Sequence, residues 1–141
     1  LAAIEGATGF CFFNFPFPWE KKIMENYAAK GLADYPEQTW KKLKAAAMTL
    51  KNMEPYLLST ETAPEIRVEN SGKAKVHARA WLRENGKLCV AVVGSGGGNA
   101  EAVLYIPGNR SLKSSYGRTV SLGNGCYRFT SADLGSDLLF D

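Results

Sequence analysis

One histidine, His77, stands in this chain of 141 residues. A Ser/His/Asp or Cys/His nucleophilic site would have to use it, because such chemistry needs an imidazole to take the nucleophile's proton. His77 falls between Lys75 and Arg79 on the polar side of an alternating segment. Two neighbouring cations oppose a further positive charge on the ring, so the spacing speaks for a surface histidine rather than a general base. Carboxylate pairs are the other catalytic option: Asp133 with Asp137, and Glu61 with Glu65. Glycoside hydrolysis asks for two carboxyls about 5–10 Å apart across a cleft. Both pairs lie in polar linking segments without an aromatic platform beside them, where turn and surface roles are expected. Trp81 shares the polar side of its segment with His77 and Arg79. There it could stack on a sugar ring, with its neighbours donating hydrogen bonds. The favoured reading is that it packs, since aromatic burial is a main source of stability.

Two further patterns exclude chemistries. Gly94–Asn99, GSGGGN, lacks the Lys-Ser or Lys-Thr with which a phosphate loop reaches phosphate and metal. A strand, not a helix, is expected after it, so it reads as a hairpin turn. The three cysteines, Cys11, Cys89 and Cys126, show no CxxC spacing and an odd count. Neither a disulfide framework nor a metal site is indicated, and no cofactor is expected. Cys89, within LCVAVV, reads as a small core residue.

The elements that must position these residues have two textures. Tyr35–Leu58 is the clearest helix. Trp40, Leu43, Ala47, Leu50 and Met53 share one face, with Lys41, Lys42, Lys44, Lys51 and Asn52 mainly on the other. Pro36 suits a first turn, and Pro55 is expected to stop the helix near Glu54. Before it, the apolar run Ala7–Phe15 reads as a strand buried on both faces, closed by Pro16 and Pro18. Trp19–Gly31 reads as a helix. After it, short strands follow at the spacing of a sandwich or barrel. These are Glu65–Glu69, Lys73–Arg83, Leu88–Val93, Ala102–Ile106, Ser111–Tyr116, Arg118–Leu122, Cys126–Thr130 and Leu138–Phe140. Lys73–Arg83 alternates most strictly, with Ala74, Val76, Ala78, Ala80 and Leu82 facing the core. Asn85-Gly86 marks a hairpin, and Leu88–Val93 a central strand covered on both sides. The expected fold is mainly β: an antiparallel β-sandwich of Greek-key type, preceded by one or two α-helices.

Net charge is +3, with 45% hydrophobic and 22% charged residues and no run of like charge. Nucleic-acid binding is not expected, and no apolar run approaches the ~20 residues of a membrane span. The chain starts at Leu1 without a signal pattern, so a fragment of a longer protein is expected.

The order of these elements resembles the C-terminal end of multidomain TIM-barrel glycoside hydrolases. ATGFCFFNF is similar to a closing barrel strand, and YPEQTWKKLKAAAMTLKNMEPYLLS to a connecting helix. KLCVAVVGSGGGNAEAVLYIPG is similar to a sandwich hairpin, and CYRFTSADLGSDLLF to its closing strands. A departure is Gly94 after VAVV, where such domains often carry Asn. The resemblance implies residues 1–34 as the remnant of a barrel, 35–58 as a helix packed on the sandwich, and 59–141 as the sandwich. It implies a region whose partner is the missing N-terminal catalytic barrel of the same chain. The family's catalytic carboxylates sit on earlier strands, so no catalytic residue is expected here. Only the loop after the closing strand reaches a barrel's cleft, which makes Asn14 and Trp19 candidate substrate contacts beside Trp81. A secreted or periplasmic parent is implied if it degrades polysaccharide. Two rivals stand beside this reading. One is a carbohydrate-binding module using Trp81. The other is a protein-interaction domain, with oligomerisation through the exposed Ala7–Phe15 run.

Overall fold

The computed structural model describes residues 3–7, 35–132 and 135–141, with the side chains of 35–40 and of Leu43 excepted. The expectations for Ala7–Phe15 beyond Ala7, for the helix at Trp19–Gly31, and for Cys11, Asn14, Trp19 and Asp133 lie outside these residues. The chain divides into two compact units, Gly9–Glu54 and a second made of Leu1–Thr8 with Pro55–Asp141.

In the first unit the described element is helix α1, Tyr35–Leu57, whose final residues belong to the second unit. It does not stop at Glu54 as expected but carries Pro55 inside its last turn. A proline there removes one backbone hydrogen bond near a helix end, where few remain to be lost. Tyr56 is in exchange buried in the second unit, its ring 5.6 Å from Phe140 with the Arg83 guanidinium 5.5 Å above it. The lysines at 41, 42, 44 and 51 are exposed as expected. Of the expected apolar stripe, the Trp40 and Leu43 side chains lie outside the described residues; Ala47 is exposed, Leu50 half-buried and Met53 buried.

The second unit is an antiparallel β-sandwich. Its strands are β1 (Arg67–Asn70), β2 (Lys75–Leu82), β3 (Leu88–Ser95), β4 (Ala100–Tyr105), β5 (Lys113–Ser114), β6 (Thr119–Gly123), β7 (Cys126–Ser131) and β8 (Ser136–Phe140). One sheet, sheet A, runs β1-β4-β7-β6, and the other, sheet B, runs β2-β3-β8-β5. Followed around the sandwich, β8-β5-β6-β7 and β4-β1-β2-β3 each give the 4-1-2-3 order of a Greek key. Ala80, Val90 and Leu139 form one row on the inner face of sheet B. Val68, Leu104 and Tyr127 do the same on sheet A. Together these two faces make one core.

The β2 alternation matches the expectation, with Val76 and Ala80 buried inward and Lys75 and Arg79 exposed outward. Gly86 turns the β2–β3 hairpin at φ 76°, in the region that Asn-Gly signals anticipate. The glycine-rich loop is corrected. It does not close a hairpin, because β3 belongs to sheet B and β4 to sheet A. Four flexible residues carry the chain across the core instead. β7 and β8 likewise lie in different sheets. β5 is reduced to two residues because the chain turns away at Ser115–Gly117 to cross between sheets.

That crossing is closed by Asp137. Its carboxylate is wholly buried on the inner side of β8, beside Val92. It accepts from Ser114 Oγ at 2.6 Å, and from the backbone N–H groups of Tyr116 at 2.9 Å and Arg118 at 3.0 Å. The N–H of Leu138 adds a fourth bond at 2.9 Å. A buried carboxylate needs such a shell of donors. Tyr127 secures the neighbouring loop in the same way: its hydroxyl donates to the Arg110 carbonyl at 2.7 Å and accepts from the Leu112 N–H at 3.0 Å.

Candidate functional site

The two outer faces of the sandwich differ in kind. On sheet A, Arg67 lies 4.0 Å over the Tyr105 ring, and the Tyr105 hydroxyl donates to Glu69 Oε2 at 2.8 Å. That hydrogen bond to Glu69 is the main cause of the raised Tyr105 pKa. Val120 and Leu122 stand exposed on β6, at the opposite edge of the same sheet. On sheet B two outer rows are instead largely apolar and covered, with Arg79 exposed at the edge of one of them. Trp81, Cys89 and Phe140 align across β2, β3 and β8, and Arg79, Ala91 and Leu138 form the next row. Trp81, Cys89, Ala91 and Leu138 are all at most 9% exposed. Burial without a charged partner pushes the Cys89 thiol from 9.0 up to about 12. The core reading of Cys89 therefore holds, and Cys89 and Cys126 are both free thiols.

Trp81 is buried as the packing reading expected, with the Arg79 guanidinium 5.6 Å from its ring centre. It also lines an open cleft of 570 Å³ running along β2. The opposite wall comes from the connection between α1 and β1. Glu61 and Glu65, read from the sequence as a pair remote from any aromatic, are brought to this same cleft together with Tyr56 and Trp81. Ala3, Gly6 and Ala7 complete the lining from the N-terminal turn. The volume is of the size that holds a small ligand.

Of the other carboxylate pair, Asp133 lies outside the described residues. Asp137 is buried as a structural acceptor. Asp141, at the end of the described chain, takes the Leu88 N–H at 2.8 Å and the Arg110 guanidinium at 2.6 Å. Arg110 also donates to the Gly86 carbonyl at 2.8 Å, tying the β2–β3 turn to the chain after β8. Among the described residues no three His, Cys, Asp or Glu side chains converge as metal ligands would. No described helix is long and apolar enough to cross a membrane.

His77 keeps to the outer face of β2 as its sequence reading expects, but it has partners there. It is half-buried on the outer side of sheet B, and both ring nitrogens have partners. Nε2 lies 2.9 Å from Ser95 Oγ, and Nδ1 lies 3.6 Å from Glu5 Oε1. Ser95 sits at the end of β3, and the pairing of Lys75 with Ser95 sets it on the same face as His77. Arg79 is turned aside to the Ile4 carbonyl at 3.1 Å. Neither Ser95 nor Glu5 was a candidate from sequence. The glycines on either side of Ser95 were the available signal, and they were absorbed into the turn reading.

The chain matches no family model, no curated protein and no solved structure. Its functional reading therefore rests on these residues and on the pattern of its elements.

Proposed function

We propose that this chain is the C-terminal β-sandwich region of a carbohydrate-active hydrolase, carrying none of the parent's glycosidase chemistry and stabilising the barrel that precedes it. The observation that supports this reading is the second apolar face of sheet B. A sandwich standing alone in water needs only its inner faces to be apolar. Here Trp81, Cys89, Ala91 and Leu138 are buried on the outside as well, so this face is already covered within the chain, as expected of a sandwich that packs against a preceding segment. The glycosidase class itself comes from the resemblance in the order of elements. The test is to assay the full chain against a panel of aryl glycosides. No turnover is the expected result, and hydrolysis of any of them overturns the reading.

A second reading, a carbohydrate-binding module, is favoured by the cleft, where Trp81 and Tyr56 stand with Glu61, Glu65 and Arg79. Aromatic faces beside carboxylates suit a polar, ring-shaped ligand. Titration with soluble polysaccharides, following tryptophan emission, separates the two. A saturable change that disappears in Trp81→Phe supports binding, and a flat response across the panel removes it.

A further inference from the structure

The fold supplies His77 with what the sequence denied it. Serine and glutamate oxygens face its two nitrogens at 2.9 and 3.6 Å, the serine–imidazole–carboxylate order of an acyl-transfer centre. We propose that Ser95, His77 and Glu5 form a nucleophilic site that hydrolyses short-chain carboxylic esters. This goes beyond the scaffold role and does not depend on it.

In the tautomer that carries its proton on Nδ1, the side facing Glu5 at 3.6 Å, the free Nε2 accepts the hydroxyl proton of Ser95. Ser95 Oγ has one other acceptor in reach, the Lys75 carbonyl at 3.4 Å, a longer contact than that to the imidazole. The residues after Ser95 are Gly96, Gly97 and Gly98. Their amides have no hydrogen-bond partner among the described residues. Gly96 and Gly98 hold φ values of 93° and 94°; the Lys73 side chain packs against Gly98, while the space beside Gly96 and Gly97 is open, which leaves those two amides accessible to an incoming oxyanion. Val93, half-buried and directly opposite His77, offers an apolar contact for a short acyl chain.

The reaction balances without a metal or redox partner. Ser95 Oγ attacks the ester carbonyl carbon, and its proton passes to His77 Nε2. The tetrahedral intermediate collapses, breaking the bond to the alcohol oxygen, which leaves with the proton from Nε2. Water then attacks the acyl-serine and gives a proton to Nε2. That proton returns to Ser95 Oγ as the carboxylic acid departs. Glu5 is exposed and acts through the imidazole that it faces, so it is a positioning residue.

The test uses the full chain with p-nitrophenyl acetate and a fluorophosphonate probe, the labelled residue being mapped by mass spectrometry. The expected result is label on Ser95 and an initial burst of p-nitrophenolate. Ser95→Ala and His77→Ala should lose both, with turnover reduced by about a hundredfold, while their circular dichroism stays that of the parent. Glu5→Gln should lower kcat with KM unmoved, and Glu5→Asp should recover part of the loss. Absence of label on Ser95 in the folded chain overturns the proposal, as does hydrolysis by Ser95→Ala at the parent rate. The three residues would then serve only to fasten the N-terminal turn to sheet B. Activity toward aryl glycosides bears on the scaffold reading alone, so the two proposals fail separately.

Discussion

Asp137 is the side chain on which the crossing between β5 and β6 depends. Its carboxylate gathers one hydroxyl and three backbone N–H groups. Asp137→Ala takes the shared acceptor from these buried and part-buried donors, and should lower unfolding free energy by about 3 kcal/mol. Urea denaturation measures it, the midpoint falling with the slope unchanged. Thr119 is the opposite case. Its Oγ1 is buried and finds no partner among the described residues, so Thr119→Val exchanges an orphan hydroxyl for a methyl of similar size. Stability should rise by about 1 kcal/mol, seen as a higher Tm. Cys89 gives a pH dependence of fixed sign. Folding raises its thiol from 9.0 to about 12. Between those values the unfolded chain has released a proton that the folded chain keeps. Stability therefore falls as pH rises through that window, by up to about 1.4 kcal/mol per pH unit, and the contribution is absent below it. Cys89→Ala should flatten that slope. In the native protein a thiol reagent should modify Cys126 and spare Cys89. Cys89 could be read as core from LCVAVV alone, because a continuous apolar run needs no knowledge of its partners. Asp137 could not, since a carboxylate among Gly, Ser and Leu signals a turn until the distant donors at 114–118 are known.

At the level of elements, local pattern carried what is local. The β2 alternation and the Asn85-Gly86 turn were legible because a strand's two faces and a tight turn are decided by adjacent residues. Pairing was not legible, because the choice of neighbour is made by residues far along the chain. Hence the GSGGGN loop passed for a hairpin although its flanking strands lie in opposite sheets, and the Ser95–His77–Glu5 grouping stayed hidden. Gly72 shows how tightly one of these crossings is built. A β-carbon there would sit 2.6 Å from both the Asn99 carbonyl oxygen and the Glu101 nitrogen. Those are backbone atoms at the entry to β4, so the turn after β1 must shift to admit it. Gly72→Ala should cost about 2 kcal/mol, whereas Gly97→Ala, whose added methyl meets nothing within 4 Å, should stay within about 0.5 kcal/mol. Paired thermal melts of the two variants check both values.

For the whole molecule, the mainly β architecture followed from strand count and spacing, while the distribution of polarity over its surfaces did not. Sheet A turns a mixed polar face to solvent and sheet B a largely buried apolar one. Their difference comes from Trp81, Cys89 and Leu138 falling in register across three strands. The pairings are long-range: β1 joins β4 and β3 joins β8. Topologies of this kind fold in roughly milliseconds to seconds, and stopped-flow refolding of the full chain should fall in that range.

The position of β8 carries one more consequence. It is the last of the eight strands among the described residues, yet it lies between β3 and β5 rather than at an edge. While a ribosome is still making β1–β7, β3 therefore has one side without a hydrogen-bonding neighbour, and the arch at 114–118 has no carboxylate to close around. The nascent sandwich must wait, half-zipped, for its final residues to clear the exit tunnel. A stop codon just before Ser136 would yield a sticky, protease-prone chain rather than a slightly shortened domain.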